Sequence, residues 1–383
     1  MTKKKEDCKH TLVVLPAEWE EQDGVMLTWP HEATDWKDTL PTICNAYVNL
    51  ALQIAKREQL VIITPDPTNV RNQIVDRSME NGGYNSEIMG NIHFVKCPTN
   101  DTWTRDHGLI TLIEKSRQKK KYSPTGFIHL DFLFNGWGEK YEASLDNAIN
   151  KAVYDSGLLS GRYEAHLDFV LEGGSIESDG EGTVFTTSQC LLAPNRNHLS
   201  LQETENELKK RLRAKRIVWI DYGKVEGDDT DGHVDTIVRV APADTLLYVS
   251  CNDEDYPQYK SLKKMEDQLQ TLQTIRGRAY RLLKLPMPRP IVDGDRILPA
   301  TYANFLIIND AILYPTYAQP PFDEEAAAVI AEAFPDRKVI GIDATAIIKQ
   351  GGSLHCCAMQ LPKGSMEQPT YKELYKKLLH LFK

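Results

Sequence analysis

No stretch of the 383 residues approaches the ~20 continuous apolar residues that a membrane-spanning helix needs. The lysine-rich start, Met1 to His10, leads only into the short run Thr11–Pro16, and Glu18, Glu20 and Glu21 follow directly. The expectation is no secretory signal, no membrane partner and a cytoplasmic location. Concentrated positive charge is also missing. The net charge is −9, and the one basic run, Lys119–Lys121, reads as a solvated loop. A nucleic-acid partner, which demands dense positive charge, is therefore excluded. Cys-x-x-Cys is absent among the seven cysteines, and their odd count suggests neither a disulfide framework nor a zinc knuckle. A long Pro/Gly/Ser linker is lacking too. Pro286–Pro290 is short and stiff and reads as a loop, so residues 1–383 are expected to form a single domain. What remains is an ordinary globular balance, 41% hydrophobic and 26% charged.

Helical periodicity recurs in five places: Cys44–Arg57, Ser144–Ser156, Ser200–Ala214, Tyr259–Gln273 and Asp323–Phe334. Ser200 with Glu203 forms a capping box at the start of the third. A sixth helix is predicted over Tyr371–Leu381. Short β-rich runs follow the five helices, at Leu60–Thr64, more weakly across Gly157–Glu164, then at Arg216–Asp221, Tyr280–Leu285 and Lys338–Ile342. Turn-bounded strands come next, at Val184–Thr187, Leu246–Ser250 and Ile312–Pro315. The unit is a helix, a strand, a polar segment and a hairpin. One polar segment per unit suits a closed ring of α/β units that aims each segment at a shared axis. An open α/β sheet with an unrelated second part is the alternative.

The polar segments carry the chemistry. Cys356 follows Gly351 and Gly352, which permit unusual backbone angles and close approach of a ligand. A cysteine standing alone is more often a small core hydrophobe. Strand alternation predicts that Cys356 and Cys357 point to opposite faces, and that His233 and Asp235 share one. Asp228, Asp229 and Asp231 invite a calcium reading, but the twelve-residue loop with its terminal glutamate is absent, and no metal site is expected. Asp101 to Asp106, with Trp103 inside, and Glu172 before Gly173-Gly174 complete the set. A thiol, an imidazole and several carboxylates are more than a thiol acyl transferase needs, and the acids would repel its oxyanion. They do match a planar guanidinium, whose N–H groups pair bidentately with carboxylates. In these segments Arg105 is the one always-charged base, and alternation predicts that it turns away from Asp106. The tail beyond the guanidinium is thus expected to be an amine rather than a carboxylate.

These residues resemble the agmatine deiminases and the related bacterial-type peptidylarginine deiminases, within the guanidino-group-modifying enzymes. The resemblance runs nearly end to end. Pro16-Ala17-Glu18-Trp19, Asn100-Asp101-Thr102-Trp103 with Arg105-Asp106, and Glu172-Gly173-Gly174-Ser175 carry it. So do Cys190-Leu191-Leu192 with Asn195-Arg196-Asn197, Thr230-Asp231-Gly232-His233-Val234-Asp235, Tyr302 with Asn304, and Gly351-Gly352 with His355-Cys356. It implies a five-bladed pseudo-symmetric α/β-propeller, the pentein fold. It also implies Cys356 as nucleophile and His233 as general acid and then base. Asp106 and Asp235 would hold the guanidinium, Glu172 would orient His233 or meet the substrate, and Trp103, Asn304, Gly351 and Gly352 would bind the substrate. The implied reaction is hydrolysis of agmatine to N-carbamoylputrescine and ammonia through a cysteine thiouronium, without cofactor. Another guanidino or peptidylarginine deiminase, or an amidinotransferase, is the alternative, and a homo-oligomer stays open. Gln350 and Ser353 depart from the family's glycine-rich run, and Glu177 stands where agmatine deiminases often place a histidine.

Overall fold

A computed structural model of the chain describes residues 11–367 except 81, 82, 84, 119 and 120; the expected helix at 371–381 and most of the basic run at 119–121 fall outside the described residues. The fold is α/β, and among the described residues it has six small sheets, none closed on itself.

Five times the chain runs through the same order: an antiparallel pair, a helix, then a strand parallel to the second of the pair. Ile176–Ser178 and Thr183–Thr187, helix Leu201–Leu212 and strand Arg216–Ile220 are one instance. Val238–Ala241, Thr245–Ser250, helix Tyr259–Thr271 and Arg281–Pro286 are another. Leu306–Ile308, Ala311–Thr316, helix Pro320–Ala333 and Lys338–Asp343 repeat it. Ile110–Gln118 and Lys121–Leu133 pair ahead of helix Ile149–Asp155 and strand Arg162–Val170. The last instance joins the two ends of the described chain. Ala358–Pro362 pairs with Gln22–Thr28, which precedes helix Leu40–Ala55 and strand Gln59–Thr64.

The strand after the helix is apolar where both of its faces are covered, as in Gln59–Thr64, whereas Arg162–Val170, Arg281–Pro286 and Lys338–Asp343 stay partly exposed. In Gln59–Thr64, Leu60 and Ile62 enter one core while Val61 and Ile63 enter a second, all four fully buried. The predicted helices agree with the observed ones to within a few residues, and the Ser200–Glu203 capping box is formed. The second is broken, with a 3-10 turn Asp146–Ala148 ahead of Ile149–Asp155. A helix over Pro67–Glu80 and a strand over Ile92–Lys96 were not expected; the helix buries only Val70, Ile74 and Ser78, too sparse an apolar stripe to read.

Candidate active site

Each polar segment ends just before the first strand of a hairpin, and there the backbone is not extended. Thr104–His107 is a single helical turn, Gly173–Ser175 and Val234–Thr236 are 3-10 turns, and residues 351–357 are turns that precede Ala358. The strand alternation expected for His233 with Asp235 and for Cys356 with Cys357 is therefore replaced by tight turns. Such turns can aim neighbouring side chains at one point without a pleat. Arg105 does turn away from Asp106, but through a helical turn. It reaches Glu18 at 2.8 Å and also bonds Gln360.

The turns bring Cys356, Asp106, Asp235 and His233 together. Sγ of Cys356 lies 3.8 Å from Oδ2 of Asp235 and 3.4 Å from Oδ1 of Asn304. That same Asn304 oxygen accepts the backbone N–H groups of His355 (3.0 Å) and Cys356 (3.3 Å), fixing the turn that presents the thiol. Asp106 accepts Trp137 Nε1–H at 2.9 Å and Gly174 N–H at 3.1 Å, and its Oδ1 is 3.6 Å from Nδ1 of His233. Asp235 Oδ1 and both ring nitrogens of His233 have no hydrogen-bond partner among the described residues, although both residues are fully buried. Buried polar atoms left unpaired are costly, on the order of 1–3 kcal/mol each. A ligand that supplies N–H donors here would recover that cost.

Cys356, Asp106, Trp103, Gly351 and Gly352 open onto a cleft of about 500 Å³, with Asp35, Asp101, Trp137, Tyr141, Asp229, Thr230, Thr236 and Gln350. His233, Asp235, Asn304 and Glu172 lie behind that surface. Glu172 pairs with Arg196 at 2.8 Å, and its carboxylate, the Cys190 thiol and a His233 nitrogen all lie within 4.8 Å of one another. Residues the sequence did not single out also matter. Trp137 steadies Asp106, and its place between Gly136 and Gly138 was the available sign. His355 bridges Asp235 and Glu18.

Burial dominates the electrostatics. It pushes the Cys356 thiol well above its usual range, with Asp235 and Asp106 adding to the rise. It pushes the Asp106 carboxyl well up, again with help from Asp235. Burial also drives His233 down to about 4. Asp235 is the exception, since its hydrogen bond and ion pair with His355 outweigh burial and hold it below the ordinary carboxylate range. Asp101, at the cleft wall, rises to about 7 through burial, with Asp35 adding charge. Among the described residues two His/Cys/Glu groups are compact enough for a metal ion, Glu172 with Cys190 and His233, and Glu18 with Glu177 and His355. Guanidinium groups already neutralise them, Arg196 in the first and Arg105 and Arg239 in the second, which disfavours a further cation. The acidic turn is likewise satisfied: Asp228 accepts from Thr230 and Gly232, and Lys140 pairs with Asp229 and Asp231.

Gly174 sets the spacing of this cluster. A Cβ there would lie 2.7 Å from both Asp106 Oδ1 and His233 Nδ1, and 3.2 Å from Asp235 Oδ2. Gly174→Ala should therefore displace the site groups and lower turnover by ~100-fold, the scale of a 1 Å misplacement, with the far-ultraviolet circular dichroism unchanged. Near-normal turnover would show that these groups tolerate movement.

The chain is similar to known proteins over most of its length. The agmatine deiminase of Medicago truncatula is 30% identical over 376 residues, covering 91% of this chain and 96% of its own. A C. jejuni agmatine deiminase, solved as a Cys-to-Ser variant with substrate bound, superposes with a TM-score of 0.81 at 34% identity, over 94% of this chain and 100% of its own. A Porphyromonas gingivalis structure, provisionally named an arginine deiminase, gives 0.83 at 40% identity, over 93% and 100%. The family model for Porphyromonas-type peptidyl-arginine deiminases matches residues 14–362, and the chain belongs to that family.

Proposed function

We propose that this protein is an agmatine deiminase, a hydrolase that converts agmatine and water to N-carbamoylputrescine and ammonia. The observation that carries the reading is the cleft itself. Cys356 and Asp106 line it with Asp235 behind the thiol, and among the described residues its lining includes Asp35, Asp101, Trp103 and Tyr141 but neither lysine nor arginine. A guanidinium fits the base, and an alkylammonium fits the acidic, aromatic wall. Arg289 and Arg296, the bases that could have paired an arginine α-carboxylate, are not among the lining residues. Asp229 is itself paired with Lys140, so Asp35 and Asp101 are the better partners for the amine.

In the chemistry we assign, Asp106 and Asp235 accept N–H bonds from the guanidinium and bring its carbon to Cys356. The cation offsets the carboxylates that hold the thiol proton on, so thiolate forms as substrate binds. The thiol proton passes to His233, which burial keeps neutral and so ready to accept it. The Sγ–C bond forms, His233 returns the proton to the departing nitrogen, and ammonia leaves a thiouronium on Cys356. His233 then takes a proton from water, the hydroxyl adds to the thiouronium carbon, and the C–S bond breaks: the sulfur takes up the hydroxyl proton as the Cys356 thiol, the neutral ureido product leaves, and His233 gives its proton to solvent. No metal or organic cofactor enters this scheme.

We further propose a single domain in which the five repeated units form a five-bladed propeller around the site, acting in the cytoplasm. Pairing of Ala358–Pro362 with Gln22–Thr28 supports such a ring, as does the position of every site segment at the head of a hairpin. Among the described residues no helix is long and apolar enough to cross a membrane.

Steady-state ammonia release on agmatine, free arginine and a peptide ending in arginine tests the substrate. Agmatine should show the highest kcat/KM, by at least ~10-fold, the scale of one missing charged partner. A higher value for arginine or the peptide would reverse the substrate assignment and leave the deiminase chemistry standing. Product formation that requires an amine acceptor would point instead to an amidinotransferase.

A further inference from the structure

Next to the nucleophile in sequence, His355 is fully buried between two carboxylates from distant parts of the chain. Its Nδ1 lies 2.7 Å from Oδ2 of Asp235, and its Nε2 lies 2.9 and 3.0 Å from the two oxygens of Glu18. Two carboxylates can both be satisfied only by a ring that donates from both nitrogens. The backbone that carries the ring is fixed as well: the N–H of His355 donates to Asn304 and its carbonyl accepts from Arg105 Nε at 3.4 Å. Glu18 is fixed in turn by Arg105 at 2.8 Å, Arg239 at 2.6 Å and Gln360 at 3.2 Å. Its carboxyl is held well below the usual range; burial opposes this, and Arg105, His355 and Arg239 outweigh it. Glu18 borders a separate cavity that shares no lining residue with the cleft.

We propose that His355 is a positioning residue: it holds Asp235 through one ring nitrogen while Glu18 anchors it through the other, and this chain sets the angle at which Asp235 meets the guanidinium. The proposal rests on the reading of Asp235 as a guanidinium partner. Oδ2 of Asp235 is taken by His355, so Oδ1, which has no partner among the described residues, is the oxygen left to face substrate. The groups facing Asp235 are His355 and Cys356 from the turn before Ala358, Asp106 and His233 across the site, and Arg239 at longer range. Of these His355 alone donates to its carboxylate at close range.

His355→Gln and Glu18→Gln, assayed on agmatine beside wild type with thermal unfolding recorded, test the proposal. His355→Gln should lower kcat/KM by at least ~100-fold. It should also move the acid limb of the kcat/KM profile upward by about one pH unit or more, the scale on which a lost opposite charge shifts a carboxylate. The sign follows from the carboxylate pair: Asp106 and Asp235 titrate together, and losing the donor that holds Asp235 ionised raises the pH at which the pair sheds its last proton. Glu18→Gln touches nothing in the cleft and should move the limb the same way by less. If His355→Gln does not fold, the Glu18→Gln profile decides alone. Lower activity with an unmoved acid limb would make His355 merely structural and overturn the proposal, as would kinetics within threefold of wild type. Wild type that releases no ammonia from any guanidino compound would bring down the deiminase reading and the role of His355 with it.

Discussion

Cys356→Ser should abolish ammonia release, a loss on the order of 10⁶ in kcat, the scale seen when a covalent nucleophile is removed. The surroundings of Cys356 make this residue intolerant of the swap. Burial, Asp235 and Asp106 all oppose a negative charge on Sγ, so even the thiol ionises only when a cation arrives. A hydroxyl is far harder to ionise than a thiol, and the same cation cannot close that gap. The neighbour provides the control. Cys357 points elsewhere, with its thiol against the Ser353 carbonyl at 3.3 Å and pushed up to about 12 by burial. Cys357→Ser should keep kcat within about threefold, since it leaves every site group in place and exchanges one buried polar donor for another. Steady-state assays of both variants, with circular dichroism to confirm folding, check this. An essential Cys357 beside a dispensable Cys356 would invert the assignment of the nucleophile.

The same comparison shows what a sequence can and cannot reveal here. The five helices were legible from their apolar stripes, and the third also from its start signal at Ser200–Glu203. The long hairpin over Ile110–Leu133 and the strand Gln22–Thr28 were not. The latter pairs with Ala358–Pro362 from the far end of the chain, and no local pattern encodes such a partner. In the site, residue types told the chemistry while local geometry misled. His233 and Asp235 sit two apart, which on a strand means one face; here His233 leads into a 3-10 turn that contains Asp235, with Gly174 packed against both. The Arg196–Glu172 pair joins two motif segments that the resemblance named separately. His355 stood beside the nucleophile in the sequence, but the carboxylates that give it meaning lie 120 and 337 residues away. Long-range pairing of this kind is the part of a site that composition and periodicity cannot carry.

Asp106→Asn should lower kcat/KM on agmatine by roughly 10²- to 10³-fold, the consequence of removing one partner of a buried ion pair worth about 3–5 kcal/mol. The substitution keeps the shape, so the loss isolates charge. Trp137 Nε1–H and Gly174 N–H both donate to the carboxylate, one to each oxygen. An asparagine offers one oxygen and one NH₂ group, so one of these donors would face another donor and the guanidinium would lose its counter-charge. The same carboxylate predicts a proton signature. Burial and the charge of Asp235 push Asp106 well above the ordinary range, so the free protein holds a proton there to a higher pH than an ordinary carboxyl would. A guanidinium entering between the two carboxylates favours the ionised form and expels that proton. In a Cys356→Ser background, which removes turnover and the thiol's own proton, agmatine binding should release protons. Calorimetry in buffers of different ionisation enthalpy reads that release directly. It should disappear when Asp106→Asn is added, because the titrating group is gone. Kinetics close to wild type in Asp106→Asn would rule out the guanidinium clamp. Proton release that persists in the double variant would move the titration to another group, with Asp101 at the cleft wall, raised to about 7, the next to examine.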